Sequence, residues 1–214
     1  MSLRIVIFGA NGPTGQVLTR QALANGYSVT AVTRHPEQFG QQHEQLRVVY
    51  GDVYEPSSVA AAIQNQDAVL SVIGAPFSWK GITVYSQSAT AIVQGMQAAG
   101  VRRLLCTSAG GTNPHFDPDE GFVFGLIIKP TIGRTLYKDM RRQEKIVMDS
   151  DLDWTIVRPA RLVTHPTVTS YQIKEAYMVP GQQRTAYTDL ADFMLTNITG
   201  DHYLRKAVAI ASPI

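Results

Sequence analysis

The sequence predicts an α/β fold in which a doubly wound, parallel sheet forms a single domain. Short runs rich in β-branched residues alternate with longer amphipathic segments, and glycine or proline marks most of the boundaries between them. A length of 214 residues suits one domain of this class. We therefore expect residues 1–214 to fold as one unit.

The first half of the chain contains the clearest alternation. Pro13 and Pro56 lie near the starts of two predicted helices, and Gly26 and Gly100 end two helices. The predicted strands cover residues 4–8, 28–33, 46–50, 68–73 and 103–107, and the predicted helices cover 14–25, 56–65 and 83–99.

The second half contains two long connections between predicted elements. Helices are predicted at 136–150 and 189–198, and strands at 155–157 and 207–211. Residues 109–134 and 160–187, which are punctuated by proline and glycine, are predicted as connections without regular structure. Both follow the carboxyl ends of strands, where open α/β sheets bind ligands, so we expect them to form the substrate side.

Composition excludes several classes of function. Lys plus Arg number 19 and Asp plus Glu 17, so no strong charge favours nucleic acid or an anionic membrane. Cys106 is the single cysteine, which excludes an internal disulfide and a multi-cysteine metal site, and the histidines lack metal-ligand spacing. The first apolar run is typical of a strand rather than a signal peptide or membrane helix, so we expect a cytoplasmic protein.

A glycine-rich loop links the first predicted strand to the first helix. In "IVIFGANGPTGQ", Gly9, Gly12 and Gly15 are spaced three residues apart. Glycines let the backbone turn tightly and approach a pyrophosphate, and the following helix N-terminus attracts anions. The placement predicts a Rossmann-type dinucleotide site; the alternative is a tight turn without a ligand.

The end of the second strand distinguishes the two nicotinamide dinucleotides. An NAD site usually carries Asp or Glu there for the ribose, whereas "TAVTRHPEQ" carries Arg34, with Glu37 further into the loop. A guanidinium matches a 2′-phosphate in charge and geometry, so we predict NADP(H). A solvated surface arginine remains the alternative.

Two further strand ends carry candidate cofactor residues. Asp52 in "VVYGDV" follows the third strand and is placed to accept a hydrogen bond from adenine, or else to cap the helix that begins near Pro56. Gly74 in "SVIGAPF" ends the fourth strand, where a small residue admits a ribose. The alternative for Gly74 is an ordinary strand end.

Several of these motifs together resemble a known family. "GANGPTGQ", "GDV", "QDAVLSVIG", "CTSAGG" and "SDLDWTIVRPARL" are similar to atypical short-chain dehydrogenase/reductases of NmrA-like architecture. "RRLLCTSA" and "TDLADFMLTNIT" most resemble the biliverdin reductase B, or NADPH-dependent flavin reductase, branch. The resemblance extends to about residue 210 and implies an NADPH-dependent reductase.

The resemblance also implies a cofactor site whose residues follow the strands in order. They are Gly9, Asn11, Gly12, Pro13, Thr14 and Gly15 at the phosphates, Arg34 at the 2′-phosphate, Asp52 and Val53 at the adenine, Ile73 and Gly74 at the ribose, Thr107 and Ser108 beside the nicotinamide, and Pro159–Arg161 across from it.

Many dehydrogenases of this superfamily reduce carbonyls with a Tyr-x-x-x-Lys pair that supplies a proton. Counting back from Glu144 puts Met140 and Leu136 at those positions, whereas Tyr137 and Lys138 are adjacent and point to different sides of a helix. The sequence therefore predicts that the pair is missing. An acceptor that is already electrophilic, such as a flavin, a quinone or a linear tetrapyrrole, needs mainly juxtaposition with the hydride donor.

Two residues are the candidates for a catalytic role. Ser108 is placed to orient the nicotinamide or the acceptor, or else only satisfies backbone groups at the strand end. Arg161 stands where the similar reductases carry a histidine. It is suited to pair with a flavin phosphate or a tetrapyrrole propionate, or else forms a structural ion pair.

Aromatic residues in the two loops on the open edge would suit a planar ring, although simple lid packing explains them equally well. They are Phe77, Trp79, Phe116, Phe122 and Phe124. The favoured function is NADPH-dependent reduction of a small planar molecule. The alternative is a non-catalytic NADP(H)-binding redox sensor or assembly factor, and a sugar-nucleotide epimerase is disfavoured because it needs the acid/base pair.

Overall fold

The computed structural model describes residues 2–75, 81–115, 126, 129, 131 and 133–214. The aromatic residues predicted to contact a planar ring (Phe77, Trp79, Phe116, Phe122 and Phe124) lie outside the described residues, as does much of the connection 109–134.

The described strands occupy most of the positions that the alternation predicts. They are β1 (Arg4–Phe8), β2 (Ser28–Thr33), β3 (Leu46–Tyr50), β4 (Ala68–Ser71), β5 (Arg103–Thr107), β6 (Asp153–Pro159), β7 (Arg161–Val163), β8 (Gln172–Lys174), β9 (Arg184–Ala186) and β10 (Lys206–Ala211). The helices are α1 (Pro13–Ala24), α2 (Pro56–Ile63), α3 (Val84–Ala99), α4 (Arg134–Met148) and α5 (Tyr187–Thr196). The α/β class and the bounds of β1, β2, β3 and β5 are confirmed.

The main sheet has eight strands in the order β3-β2-β1-β4-β5-β6-β10-β8. The pairs from β3 through to β10 are all parallel. The chain starts in the middle, builds outward to β3, and then returns to build the other half from β4. This reversal leaves a crevice at the carboxyl ends of β1 and β4, where doubly wound folds bind dinucleotides.

Helices cover both faces of this sheet, so its central strands are buried on both sides. Ile5 and Ile7 of β1 belong to the core beneath α1 and α5, and Val6 and Phe8 belong to the core beneath α2 and α3. Successive side chains of a strand point to opposite faces, so one short apolar run serves two cores. No helix within the described ranges is long and apolar enough to cross a bilayer.

The connection 160–187 contains regular structure that the sequence did not predict. Strands β7 and β9 form a separate parallel pair, and β8 pairs antiparallel with β10 at the sheet edge. The prediction of an unstructured connection is therefore wrong, whereas the predicted doubly wound parallel sheet is confirmed, with β8 as an added antiparallel edge strand. Three-residue strands are too short to show periodicity, and they form only because distant partners such as β10 lie alongside them.

Candidate functional site

A cavity of about 870 Å³ runs along the carboxyl edge of the sheet. Its wall is built from residues that follow β3, β2, β1, β4, β5 and β6, which is the order of these strands across the sheet. Of the predicted site residues, those in the wall are Gly9, Asn11, Gly12, Pro13, Thr14, Arg34, Asp52, Val53, Ile73, Gly74, Thr107, Ser108 and Pro159. Gly15 and Arg161 are not among the wall residues.

Two glycines of the loop are required by the fold itself. Gly9 has a φ of 81°, and a Cβ there would lie 2.8 Å from the Val72 carbonyl oxygen. A Cβ on Gly15 would lie 2.2 Å from the Gly9 oxygen, so Gly15 lets α1 pack against the strand–loop junction. Gly15 therefore has a packing role and does not face the cavity.

Gly12 is different, because the protein has no steric need for glycine there. Its φ is −73°, and within the described part of the chain a Cβ there would meet the Gly9 oxygen alone, at 3.4 Å, which is an ordinary contact. Gly12 lines the cavity and precedes α1, whose N-terminus has no side-chain cap. The loop thus leaves open space beside helix N–H groups, which fits a pyrophosphate.

Charged and aromatic residues surround the end of the cavity beside β2 and β3. Arg34 is exposed, and in the described part of the chain it forms no ion pair with a carboxylate. Asp52 does not cap α2. Its Oδ1 accepts the Tyr54 N–H at 3.0 Å, in a tight turn that holds the carboxylate at the cavity wall. The half-exposed Tyr54 also lines this end, so a flat base has a ring to contact.

The middle of the cavity is formed after β4. Among the described residues, none has an atom within 4 Å of a Cβ built on Gly74, so here too the described part of the chain leaves room. The next residue, Ala75, donates its N–H to Tyr85 Oη at 3.0 Å. Burial raises the pKa of Tyr85, which keeps the phenol neutral and opposes release of its proton.

The far end of the cavity brings Thr107, Ser108 and Pro159 together across the ends of β5 and β6. Apolar and aromatic side chains complete the wall there; they are Met140, Leu162, Tyr187 and Leu190. Met140 occupies one of the two helix positions at which the sequence analysis sought a Tyr/Lys pair, and it faces the cavity.

The structure places Arg161 outside the cavity wall, and its contact with an acceptor stays a prediction. Arg161 is exposed on β7, and the neighbouring Leu162 lines the cavity instead. Side chains alternate across a strand, so two successive residues of β7 cannot both point into the cavity. Sequence reasoning did not predict β7, and therefore missed this alternation.

Sequence reasoning also missed a buried ion pair behind the wall. Glu144 of α4 accepts from Arg158 Nε and Nη2 of β6, each at 2.8 Å, and both side chains are more than 90% buried. Ser108 Oγ lies 2.7 Å from Glu144 Oε1. The signal in the sequence was an arginine inside the apolar run "WTIVRPA". Its partner was not identifiable without the fold.

Cys106 is not a candidate nucleophile. The thiol is fully buried next to this ion pair, and burial together with the charge of Glu144 raises its pKa to about 12. Over the described ranges, no group of three or more His, Cys, Asp or Glu side chains is arranged to hold a metal ion.

Comparison with known proteins identifies the family. The model of an NAD(P)H-binding family matches residues 9–201, so the chain belongs to that family. Among curated relatives, YwnB of Bacillus subtilis is 24% identical over 210 residues (96% of this chain, 87% of the relative). A (4-alkanoyl-5-oxo-2,5-dihydrofuran-3-yl)methyl phosphate reductase of Streptomyces griseus is 25% identical over 216 residues (98% and 68%).

Solved structures share the fold over nearly the whole chain. A short-chain dehydrogenase/reductase of Veillonella parvula in complex with NADP has a TM-score of 0.82 at 19% identity, with 100% of this chain and 96% of that chain covered. ChuY, an anaerobillin reductase of Escherichia coli O157:H7, has a TM-score of 0.76 at 20% identity (98% and 97%). The chain is thus an NAD(P)H-binding protein with a Rossmann fold.

Proposed function

We propose that the protein is an NADPH-dependent reductase that transfers hydride directly to a planar, electrophilic acceptor such as a free flavin or a biliverdin-like tetrapyrrole. The observation that carries the proposal is the composition of the far end of the cavity. Met140, Leu162 and Tyr187 offer a surface suited to a planar, largely apolar ring system beside the nicotinamide position. The described wall contains no lysine that would assist a tyrosine in protonating a ketone.

The preference for NADPH over NADH rests on Arg34. Its guanidinium stands exposed at the cavity rim, where it is available to a 2′-phosphate, and His35 lies beside it in the wall. The short-chain dehydrogenase/reductase of similar fold that holds NADP supports the same choice.

The chemistry needs little from the protein beyond placement. NADPH supplies a hydride, which carries two electrons, from C4 of its nicotinamide. An oxidised flavin takes the hydride at N5 and one proton from solvent at N1, giving reduced flavin and NADP⁺. Gly12 and the N-terminus of α1 would hold the pyrophosphate, and Thr107 and Pro159 would flank the nicotinamide. Holding the hydride donor and the acceptor in contact can supply a large part of the acceleration of hydride transfer.

Two similar proteins support a reductase of this kind. ChuY is described as an anaerobillin reductase, and the Streptomyces relative as a reductase of an alkanoyl-furanone phosphate. Together with the resemblance to the biliverdin reductase B branch, they favour an electron-poor, conjugated acceptor.

The test is a steady-state assay of NADPH oxidation with FMN, riboflavin, biliverdin and a quinone in turn. We expect turnover with at least one of them, and a primary isotope effect when the transferred hydrogen of NADPH is deuterium. NADPH binding without turnover of any acceptor would refute the reductase and favour the non-catalytic sensor.

Gly12→Ala provides the matched control for this assay. The added Cβ fits the fold at 3.4 Å from its nearest neighbour but occupies the space left for the pyrophosphate. We expect the variant to stay folded and to lose NADPH oxidation. Undiminished activity in Gly12→Ala would mean that the reaction does not use this cavity.

A further inference from the structure

Glu144 and Arg158 form a buried pair immediately behind the wall of the cavity. The two guanidinium–carboxylate contacts are both 2.8 Å, and the guanidinium carbon also lies 4.0 Å from the centre of the Tyr177 ring. Arg158 Nη1 donates to the Ala176 carbonyl oxygen at 3.3 Å. The pair therefore ties α4 and β6 to the connection 160–187 at the far end of the cavity.

Such a pair is not explained by stability alone. Removing two charges from water costs about as much as their attraction returns, and well-packed apolar residues often replace a buried pair without loss. What the pair provides is a carboxylate held in one place. A carboxylate can accept hydrogen bonds but cannot donate them.

Ser108 stands between this carboxylate and the cavity. Its Oγ lies 2.7 Å from Glu144 Oε1, and the residue lines the cavity. A hydroxyl has one proton and two lone pairs, so the proton of Ser108 is committed to Glu144. Among the described residues, no group donates a hydrogen bond to Ser108 Oγ. Only lone pairs remain for a ligand.

We propose that the Glu144–Arg158 pair fixes Ser108 as a hydrogen-bond acceptor, so that this end of the cavity binds an N–H group of its ligand and not a carbonyl oxygen. Glu144 and Arg158 are positioning residues, because they act through Ser108. The role is opposite to that of a serine that donates its proton to a substrate ketone, so a Ser108 fixed in this way disfavours a ketone as the acceptor. The inference rests on the proposed function for the identity of the ligand.

Two ligands carry a suitable N–H. The nicotinamide has a carboxamide NH₂, and a flavin or tetrapyrrole has a ring N–H. The first source is tested by the affinities for NADPH and for its reduced 3-acetylpyridine analogue, in which a methyl ketone replaces the carboxamide. The second is tested by the KM values for riboflavin and N3-methylriboflavin.

The Ser108→Ala variant tests whether Ser108 accepts a hydrogen bond from the ligand or donates one to it. We expect the wild-type protein to prefer the N–H form of one ligand by roughly threefold to tenfold, as one hydrogen bond provides, and Ser108→Ala to abolish that preference. The pair of compounds whose preference is lost shows whether the N–H group belongs to the nicotinamide carboxamide or to the acceptor ring. The proposal would be overturned if Ser108→Ala weakened the binding of both compounds of each pair equally. It would also be overturned if the variant kept the wild-type preference within both pairs.

Thr112→Val is the matched control. Thr112 Oγ1 also lies 3.1 Å from Glu144 Oε1, but its proton has a shorter contact, 2.7 Å, to the Ala109 oxygen, and the residue does not line the cavity. We expect Thr112→Val to leave both preferences unchanged. The same loss of preference in Thr112→Val and Ser108→Ala would show a merely structural effect and overturn the proposal.

Glu144→Gln tests the positioning role. A glutamine amide can donate to Ser108, which would free the serine proton for the ligand, so a folded Glu144→Gln protein should lose the preference for N–H forms or favour the ketone analogue. An unchanged preference would refute the role of Glu144. If this variant does not fold, the comparison of Ser108→Ala with Thr112→Val still decides.

The comparison of NADPH with its reduced 3-acetylpyridine analogue measures binding and does not require turnover. A protein that binds NADPH but reduces no acceptor would refute the proposed function, while the analogue preference would still decide whether Ser108 accepts from the carboxamide. The two failures are therefore distinguishable.

Discussion

At the scale of a single residue, the proposed preference for NADPH over NADH depends on Arg34. The Arg34→Glu change replaces an attraction for the 2′-phosphate with a repulsion. A charge-assisted contact is worth about 1.5–3 kcal/mol, so the NADPH/NADH preference in kcat/KM should fall by roughly 10- to 150-fold.

Arg47→Glu makes the same change of charge on the exposed edge strand β3, outside the cavity wall. It should leave the preference within about twofold, because exposed charges at a distance are screened. A preference unaffected by Arg34→Glu would place the 2′-phosphate elsewhere.

Cys106 provides a test of burial beside the site. Its pKa is raised to about 12 from a usual 9.0, so folding stabilises the neutral thiol. This contribution is fully present below pH 9.0 and is lost as the pH rises through about 12. At pH 8 the native protein should therefore resist a thiol reagent, and guanidinium should expose one reactive thiol per chain.

Free cysteine at the same pH is the reference for this labelling rate. If Cys106 in the native protein were labelled as fast as free cysteine, the structure around the end of β5 would have to open readily. A rate lower by orders of magnitude is expected, because a buried thiol is both protonated and inaccessible.

At the scale of elements, α4 supplies the cap that α3 lacks. The N-cap residue Thr83 forms no side-chain cap, and the fully buried Asp139 of α4 instead accepts the N–H groups of Tyr85 and Ser86 at 2.9 and 3.2 Å. This contact also positions Tyr85 in the cavity wall. The same carboxylate of α4 therefore stabilises the N-terminus of α3 and holds a residue of the cavity wall in place.

Asp139→Ala should lower the free energy of unfolding by about 1–3 kcal/mol, because it removes the acceptor of the buried Tyr85 N–H and of the partly buried Ser86 N–H. Urea denaturation measures the loss. Asp149→Ala, which removes an exposed i,i+4 pair with Lys145, is the control and should cost under about 0.5 kcal/mol. Similar losses in the two variants would contradict the capping role.

Sequence predicted the regular elements well and the connection 160–187 poorly. The bounds of β1 and β2 follow from dense β-branched runs, which any two-sided sheet would bury. Strands β7, β8 and β9 carry no such pattern. They are held by distant partners, as where Thr185 Oγ1 of β9 donates to the Ile210 oxygen of β10 at 2.7 Å.

At the scale of the whole molecule, cofactor binding should be visible as stability. A ligand that binds only the folded state adds about 2.7 kcal/mol at 100 times its Kd. For a chain of this size, NADPH at that concentration should raise the Tm by roughly 5–10 °C. Differential scanning fluorimetry measures the shift.

Gly12→Ala should unfold at the wild-type Tm without NADPH and show little or no shift with it. The absence of any shift in the wild-type protein would contradict binding in this cavity. A full shift in Gly12→Ala would place the pyrophosphate away from the loop.

The sequence by itself determined the alternation of strands and helices, the glycine loop and the predicted preference for NADPH, because these depend on signals a few residues apart: hydrophobic period, glycine spacing and Arg34 at a strand end. Only the tertiary structure decided that Arg161 lies outside the cavity wall and that Ser108 gives its proton to Glu144, 36 residues away. A hydrogen bond between distant residues is set by how α4, β5 and β6 pack, and no local pattern encodes that packing.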